Sequence, residues 1–405
     1  MDKLKARLVV KGFNQKEGLD YKHAFSPVAN LATGRVLIAL ATAKQWPLHQ
    51  LDVNNAFLHG YVNEEIYMVP PEGYTKASPG QVYKLIVLVY VDDMLITGNS
   101  ALEVLKLKQN LDEKFTIKDL GQAKYFLGIE LFKTDTGMHL NQRKYILDLL
   151  SDAGLTAAKP SSFPLPTQLK LSFDKGTPLS DAGIYRKLVG RLLYLTMTRL
   201  DISYDVQHLS QFVSAPKDVH MQATIHLLKY LKGTISKGLF YPVQPHLQMT
   251  GFSDADWASC LMTRRSLTGY CIFLGHSLVS WKTKKQATVS RSSTEAEYRS
   301  MAATTCELLW LSFLLQDLHI PIKLPITLFC DNKSAQQIAV NPCFHDRTKH
   351  LDIDCHFTRD KIQEGFLQTA FIPTNLQLAD VMIKALGEVQ HTFLVDKLGL
   401  TEAPT

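Results

Sequence analysis

Cysteine is scarce in this chain and long hydrophobic runs are absent, and both features limit the kind of protein that it can encode. The six cysteines all lie at or after Cys260, at irregular intervals that do not form the pattern of a disulfide framework. The first residues contain no apolar signal region, and charges such as Asp92 and Asp317 interrupt the most apolar stretches. We therefore expect reduced thiols, no membrane span and an intracellular location, cytoplasmic or nuclear.

Internal repeats, low-complexity tracts and extreme charge are absent as well. The 405 residues include 44 Lys and Arg against 38 Asp and Glu, which gives a net charge of +6. That mild positive charge permits a polyanionic partner without requiring one. With 46% hydrophobic residues, the chain can form about two or three domains with sizeable cores.

An acidic turn between apolar segments is the most informative motif. Tyr90-Val-Asp-Asp93 follows the apolar run 86–89 and precedes another apolar stretch, 94–98. Adjacent carboxylates at the tip of a buried hairpin repel each other and lose solvation, so they are most stable where divalent cations neutralise them. The alternative interpretation is that the two aspartates belong to a solvated turn without a metal. Asp52 ends a second apolar stretch, and pairing of the two segments would place it beside Asp92.

Four further acids occur in the C-terminal part of the chain, each near a different predicted element. Strands are predicted over 249–252, 267–274, 278–282, 324–330 and 366–372, and helices over 295–318, 334–340 and 376–386, the last stopped by Gly387. The acids are Asp254, Glu297, Asp331 and Asp380. Four carboxylates that converge from separate elements repel one another, which is unfavourable without cations, but together they can hold two cations for catalysis. The alternative is that each acid only caps or solvates its own element.

Local spacing separates one pair of acids in this set but not another. Glu297 lies one turn before Met301 on the inward stripe of its helix, so we predict Glu297 as a ligand and Glu295 as a surface acid. Thr294-Glu-Ala-Glu297 also fits a capping box, which leaves open that Glu297 only closes the cap. Asp254 and Asp256 share one face of their strand, so alternation does not choose between them.

The region before these strands is predicted to change character along its length. Residues 1 to about 100 indicate strands and turns, followed by helices over 101–115 and 144–150 with a hairpin turn at 133–137 between them. A connection rich in Pro and Ser over 159–178 indicates a boundary, and helices over 185–211 and 219–231 predict an all-helical connector.

These motifs together resemble those of copia-type retrotransposon Pol polyproteins. Blocks similar to the family's reverse transcriptase lie at 5–12, 25–28, 51–60, 90–93 and 125–130, the last resembling the hairpin that holds the primer end. Blocks similar to its connection region lie at 186–195, 198–202 and 230–234, with Leu200 where a proline is usual. Blocks similar to its ribonuclease H lie at 253–258, 289–298, 330–332, 347–351 and 377–380.

The resemblance implies an α/β (α+β) protein with four parts. These are incomplete right-hand polymerase fingers and palm over 1–158, a helical connector over 159–245, a ribonuclease H-like domain with a five-stranded mixed sheet and flanking helices over 246–390, and a C-terminal tail over 391–405. It also implies two partners, an RNA–DNA hybrid and a primer–template, and a particle-associated protein in the cytoplasm.

Two metal sites follow from the same resemblance. In the polymerase, Asp52, Asp92 and Asp93 would hold two Mg²⁺ (or Mn²⁺) ions, and Lys5 and Arg7 would face the triphosphate. In the ribonuclease H, two further Mg²⁺ (or Mn²⁺) ions would lie at the scissile phosphate, with the first aspartate of the block 253–258 bridging them. The ligands there would be Asp254, Glu297, Asp331 and Asp380.

The chain departs from the family behind Leu85. There the family carries several dozen residues, including a helix that supplies part of the nucleotide pocket. In this chain Leu85 joins Ile86 directly, and the cause is either a genuine deletion or a gene-modelling error. We therefore expect an inactive polymerase and a retained hybrid nuclease. A nucleic-acid binder without turnover and an unstable pseudogene product are the alternatives, and a fragment from about residue 245 is expected to fold alone.

Three features allow a second interpretation. Cys343, His345, His350, Cys355 and His356 lie close in sequence, but their spacing fits no compact zinc finger. Lys349 and His350 would contact the hybrid backbone near the closing helix, or belong to a solvated loop. The tryptophans Trp257 and Trp281 could stack on nucleic acid, although a core position is the more common role.

Overall fold

The computed structural model describes residues 30–53, 84–90, 92–115, 117–340 and 352–403. Within these ranges the chain forms three sheets with helices packed against them, so the predicted α/β class is confirmed. Lys5 and Arg7 lie outside the described residues, as do the segments 5–12, 25–28 and 347–350. Most of the Cys and His residues that were considered for a zinc site also lie outside them.

A four-stranded antiparallel sheet carries the acidic turn. Its strands, in the order β2-β3-β1-β4, are β1 (Leu48–Val53), β2 (Leu85–Tyr90), β3 (Asp93–Gly98) and β4 (Ile117–Gln122). Helix α2 (Ala101–Lys114), which the sequence predicted, packs Val104 against Leu51 and Ile96 of this sheet. The hairpin between two apolar strands is thus confirmed, and β2 is an edge strand.

A second sheet joins strands that are far apart in the sequence. Its order is β14-β8-β7-β6-β5, with β5 (Tyr125–Phe126), β6 (Ile129–Lys133), β7 (Gly137–Asn141), β8 (Lys237–Pro242) and β14 (Leu400–Glu402). The predicted hairpin across 133–137 is the β6–β7 turn. Two expectations were wrong: the connector is not all helical, because it ends in β8, and residues 391–402 are not a tail but contain the end of a helix and β14.

The connector helices are interrupted where one long helix was predicted over 185–211. They are α4 (Ala182–Leu195), α5 (Ser203–Ser210) and α6 (Asp218–Gly233), and a 3₁₀ turn (Leu200–Ile202) separates α4 from α5; α3 (Arg143–Asp152) precedes them, before the predicted boundary. At the break, Arg199 Nη2 lies 2.7 Å from Asp201 Oδ2, and both side chains are fully buried. Since residues two apart do not face each other on an α-helix, this buried ion pair requires the interruption.

The third sheet has the predicted five strands in a mixed arrangement. Its order is β11-β10-β9-β12-β13, with β9 (Met249–Asp256), β10 (Leu267–Leu274), β11 (Ser277–Lys285), β12 (Ile326–Cys330) and β13 (Leu367–Phe371). Strand β12 runs parallel to β9 and β13, and the other neighbours are antiparallel. The flanking helices are α7 (Ser293–Asp317), α8 (Lys333–Val340) and α9 (Asp352–Gln363), of which α9 was not predicted.

The predicted closing helix over 376–386 was wrong. Two short 3₁₀ turns (Thr374–Leu376 and Leu378–Met382) occupy that segment, and α10 (Glu388–Lys397) begins only after Gly387. The Gln377 side chain accepts a hydrogen bond from Ala379 N and donates one to Ser253 O, which holds the turn against β9. On β10, a side chain at Gly269 would place its Cβ 2.7 Å from Met382 Cβ, so the close approach of this turn requires glycine.

Helix α1 (Leu31–Ala43) lies where the sequence indicated strands and turns. Asn30 caps it by accepting a hydrogen bond from Ala32 N, and ten of its thirteen residues are buried. A helix that is apolar on all sides has no amphipathic period, which explains why periodicity did not predict it. It packs against β7, β8 and β11, between the second and third sheets.

Candidate metal centre

The four C-terminal acids converge from four elements of the third sheet and its surroundings. Asp254 lies on β9, Glu297 on α7, Asp331 directly after β12 and Asp380 in the 3₁₀ turn Leu378–Met382. Burial raises the pKa of Asp254 well above its usual range, and a hydrogen bond shared with Asp380 and the charges of the other acids raise it further. Four carboxyl groups from separate parts of the chain therefore form one electrostatic unit.

Glu297 and Asp331 complete this unit on the side of the long helix. Burial raises the pKa of Glu297 to about 7, with the charges of Asp331 and Asp380 adding to the shift and a hydrogen bond with Asp254 opposing it. Asp331 Oδ2 accepts a 2.7 Å hydrogen bond from Thr374 Oγ1. The 3₁₀ turn Thr374–Leu376 thus orients one acid while the next turn supplies another.

Lys384 is the cation nearest to Asp380. Its Nζ lies 2.6 Å from Asp380 Oδ1, and Lys384 follows Asp380 by four residues along the chain. Burial lowers the pKa of Lys384, but the carboxylates of Asp380, Asp254 and Asp331 outweigh this effect and raise it overall. A permanent positive charge therefore stands at one side of the acids.

Glu295 and Glu297 differ in role, but not in the way that the sequence predicted. Helix α7 is capped by Ser292, whose Oγ accepts from Glu295 N, and Glu295 Oε2 accepts from Arg291 N at 2.8 Å. The prediction of Glu295 as a surface acid was wrong, because only 4% of it is exposed and it pairs with Arg299. Since Glu295 occupies the capping position, Glu297 does not close the cap and instead faces the other acids.

Asp254 and Asp256 have different environments, although they share a strand face. Asp254 is buried, and its Oδ1 accepts from Ala255 N. Asp256 is half-buried at the end of β9, where burial raises its pKa while a hydrogen bond from Ser259 and the charge of Lys384 oppose the shift. The structure therefore places Asp254, rather than Asp256, inside the unit of four carboxyl groups.

The donor set is suited to a hard divalent cation. Carboxylate oxygens are the ligands that Mg²⁺ and Mn²⁺ prefer. Asp254 Oδ2 is a buried oxygen without a hydrogen-bond donor, in a position where neighbouring carboxyls already raise the pKa of its group. A cation among the four acids would satisfy this oxygen and relieve the repulsion between them.

The three N-terminal acids also come together, with a register that differs by one residue from the prediction. Asp52 on β1 lies opposite Asp93 on β3, not opposite Asp92, which is in the hairpin turn. Burial raises the pKa of Asp93, the Asp52 and Asp92 charges add to this, and a 3.4 Å hydrogen bond from Gln50 Nε2 to Asp93 opposes it. Asp92 Oδ1 is buried without a hydrogen-bond partner.

The two tryptophans differ in exposure. Trp257, which follows β9, is 48% exposed and donates from Nε1 to Ser290 O at 3.0 Å. Trp281 on β11 is half-buried and donates to Thr196 O, so it has the structural position that the sequence analysis considered more common. Of these two tryptophans, Trp257 therefore has the more exposed ring.

Sequence reasoning missed two neighbours of the acids, Cys330 and Lys384. Cys330 directly precedes Asp331, and its thiol lies 3.9 Å from Glu297 Oε2. The signal for Lys384 was its position four residues after Asp380, but this signal assumes a helix that the chain does not form there. For Cys330 the only signal was adjacency.

Comparison with known proteins identifies the family. A family model described as reverse transcriptase (RNA-dependent DNA polymerase) matches residues 1–85 and 79–167. The transposon Ty5-1 protein of Saccharomyces cerevisiae is 32% identical over 58% of this chain and 76% of its own length. The retrovirus-related Pol polyprotein from transposon RE1 of Arabidopsis thaliana is 40% identical over 100% of this chain and 31% of its own length. This chain belongs to the copia-type retrotransposon Pol polyproteins. It spans about a third of the length of that Arabidopsis relative.

The copia-type relatives also bear on the break behind Leu85. The family match is divided into two segments that meet at residues 79–85, where β2 begins. The alignment with the Arabidopsis Pol polyprotein runs over 451 residues, although this chain has 405, so at least 46 positions of the relative face gaps. The division of the family match lies at the predicted junction, and the length of the alignment agrees with several dozen residues missing from this chain, without locating them.

Solved structures give a weaker comparison. The N-terminal RNase H domain of a Mycobacterium tuberculosis protein, solved as a fusion with maltose binding protein, covers 37% of this chain and 97% of its own. The identity is 12% and the TM-score 0.26. Among the residues that the structure describes, each helix is too short or too polar to cross a membrane.

Proposed function

We propose that this Pol polyprotein chain is a metal-dependent ribonuclease H that cleaves the RNA strand of an RNA–DNA hybrid, and that its polymerase site is inactive. The observation that carries the proposal is the convergence of Asp254, Glu297, Asp331 and Asp380 into one buried carboxyl cluster. For any one of these acids a capping role would be ordinary. Four acids that converge, with charges that help to raise the pKa values of Asp254 and Glu297, indicate a site that is completed by cations.

Asp254, Glu297, Asp331 and Asp380 would hold Mg²⁺ or Mn²⁺, which supplies Lewis-acid activation of a water and stabilisation of the leaving oxygen. Thr374 fixes the orientation of Asp331 through its hydroxyl, and Lys384 fixes Asp380 through its ammonium group. Glu297, with a pKa of about 7, holds a proton in part of the molecules at neutral pH. It would release that proton when a cation binds, because a ligating carboxylate must be ionised.

The substrate contacts follow from the chemistry of a hybrid duplex. We propose that recognition depends on phosphates and on 2′-hydroxyl groups rather than on base sequence, which suits a nuclease that must act along a whole template. Trp257, exposed beside the end of β9, offers an aromatic face to such a strand. This activity is compatible with the predicted cytoplasmic, particle-associated location or with a nuclear one.

The proposal that the polymerase is inactive does not rest on a missing acid. It rests on how the acids that are present are positioned. Asp52, Asp92 and Asp93 lie together and could hold two cations, with Lys5 and Arg7 proposed as triphosphate contacts. Catalysis is sensitive to misplacement on the scale of about one ångström. The family match is divided at residues 79–85, which supports the proposal that the family's segment bracing the nucleotide is missing after Leu85. Extension of a DNA primer on an RNA template by the purified chain would contradict the proposal.

The nuclease is tested by cleavage of a labelled RNA–DNA hybrid in Mg²⁺, with the chain and its Asp331→Asn variant compared at equal concentration. Cleavage by the parent chain and its loss in the variant would support the proposal. Cleavage that persists unchanged in the variant would indicate a contaminating nuclease. If the folded, soluble parent chain binds the hybrid without cleaving it, the protein is a binding protein and not an enzyme.

A further inference from the structure

One thiol lies inside the cluster of carboxyl groups. Carboxylate oxygens of Glu297 and Asp331 and the Cys330 Sγ all lie within 4.8 Å of one another. Cys330 is fully buried at the end of β12, and its thiol donates a 3.9 Å hydrogen bond to Glu297 Oε2. A purely oxygen-ligating site has no need of sulfur at this distance.

The spacing of these atoms is close to that of a tetrahedral metal site. With a metal–sulfur bond of about 2.3 Å and a metal–oxygen bond of about 2.1 Å, tetrahedral geometry separates sulfur from oxygen by about 3.6 Å. The observed 3.9 Å between Cys330 Sγ and Glu297 Oε2 is within a few tenths of an ångström of that value. A cation could therefore engage both atoms through small side-chain rotations, without a change of backbone.

A fourth ligand atom lies on β9. Asp254 is only 4% exposed, its Oδ2 has no hydrogen-bond donor, and its carboxyl group is hydrogen-bonded to that of Glu297. This oxygen is an observation independent of the thiol, and it belongs to a carboxyl group that lies against Glu297, one of the three residues grouped around the thiol. Two or three oxygens with one sulfur make a donor set for a borderline-soft cation, not for Mg²⁺.

We propose that Glu297, Cys330 and Asp331, completed by Asp254, form a binding site for a thiophilic divalent cation such as Zn²⁺ or Cd²⁺. On binding, the Cys330 S–H bond breaks, its proton passes to solvent and the sulfur lone pair forms the bond to the cation. Oxidation states do not change. The consequence for activity, which rests on the proposed ribonuclease H function, is inhibition: the thiophilic cation occupies three of the four acids that Mg²⁺ requires.

The test is a titration of the full chain with Cd²⁺ alone, observed through the ultraviolet charge-transfer absorption of a cadmium–thiolate bond. Cys343 and Cys355 are replaced by serine in all samples, so that these two thiols contribute no signal. We expect a saturable band that disappears in Cys330→Ser. Since the band is lost in this variant, its affinity for Cd²⁺ is measured by isothermal titration calorimetry, and it should fall by at least about 10-fold, the lower end of the effect known for the loss of an outer-shell partner.

Two further variants make the titration decisive. Cys306→Ser, an exposed thiol on α7, should keep the band and the affinity of the parent. Glu297→Gln keeps the Cys330 thiol and should weaken Cd²⁺ binding, which separates ligand loss from misfolding in Cys330→Ser. A band of equal size and affinity in Cys330→Ser, or no band in the folded parent chain, would overturn the proposal.

The activity arm is separate from the binding arm. If the chain cleaves hybrid in Mg²⁺, added Zn²⁺ should inhibit the parent at a lower concentration than Cys330→Ser, by the same factor as the change in affinity. Equal inhibition of both proteins would contradict the inhibitory role. If the chain does not cleave hybrid at all, the proposed function fails while the Cd²⁺ titration still decides whether the thiophilic site exists.

Discussion

The guanidinium group of Arg35 lies 3.7 Å from the centre of the Trp281 ring. Arg35 belongs to α1, in the predicted polymerase part, and Trp281 to β11 of the ribonuclease H-like sheet. Trp281 also donates to Thr196 O at the end of the connector helix α4. Three parts of the chain thus meet at one aromatic ring, and α1 covers a face of β11 that a fragment from about residue 245 would expose.

Replacement of Trp281 is expected to weaken the whole chain. Trp281→Ala removes the ring that packs beneath Arg35 and the hydrogen bond to Thr196, and we expect a loss of about 3 kcal/mol in the free energy of unfolding. Urea unfolding followed by far-ultraviolet circular dichroism measures this loss. Trp257→Ala, on an exposed ring, is the matched control and should cost less than about 1 kcal/mol. Equal losses in both variants would show that the junction around Trp281 is not formed.

Asp254→Asn and Asp256→Asn form a matched pair on one strand face. The first removes a carboxylate from the buried cluster and should reduce hybrid cleavage by at least about a hundredfold, since a ligand of the proposed cations is lost. The second lies at the half-buried end of β9 and should leave most of the cleavage rate. Single-turnover cleavage rates in Mg²⁺ distinguish them. A greater loss of cleavage in Asp256→Asn than in Asp254→Asn would show that Asp256, not Asp254, is the ligand.

The stability of the metal-free chain should decrease as the pH rises through neutrality. Burial raises the folded-state pKa of Glu297 from 4.5 to about 7, so this group contributes stability that is complete below pH 4.5 and is lost as the pH rises past 7. In EDTA, the difference in Tm between pH 5 and pH 8 should therefore be smaller in Glu297→Gln than in the parent chain. Added Mg²⁺ should raise the Tm of the parent most at pH 8. An identical pH dependence in the two proteins would contradict the shift.

Strand β2 provides a test of solubility. Val89 is 46% exposed on this edge strand, whose sequence is apolar from Leu85 to Tyr90. A lysine at an exposed edge position disfavours pairing with another chain, so Val89→Lys should raise the concentration at which light scattering detects aggregates. Leu88→Lys, at a position only 8% exposed, is the control and should destabilise the fold instead. If aggregation is unchanged in Val89→Lys, the surface through which the chains aggregate is not this edge of β2.

Local sequence patterns were sufficient for much of the third sheet. Strand β10 has the predicted bounds, and Asp254, Asp331 and Glu297 were singled out from their positions at the ends of strands and in the long helix, whereas Asp380 was singled out in a closing helix that the chain does not form. Periodicity succeeds there because each element has one buried face or is buried entirely between turn residues. The same reasoning found the acidic hairpin, because a two-residue turn between apolar strands is a local signal.

The remaining errors have two kinds of cause. Glu295 was predicted on the surface because it precedes Arg299 on the polar side of α7, but Arg291 and Arg299, four residues before and after it, enclose its carboxyl group. The segment around Asp380 was predicted as a helix, but the hydrogen bond from Gln377 to Ser253 O holds it as 3₁₀ turns. Helix α1 has no polar face, so its position between two sheets could not be read from its own pattern. Tertiary contacts, which a single sequence does not display, decided the cases of Asp380 and α1, whereas local contacts decided that of Glu295.

The second sheet sets an order for the synthesis of the protein. Its strands β6 and β7 are made before the third sheet, but β14, which pairs with β8 through Leu400, Thr401 and Glu402, is made after every strand of the third sheet. The sheet cannot be completed until translation has passed residue 402. Any stop codon that arises upstream of that position therefore leaves β8 with an unpaired edge, however far it lies from the acids of either site.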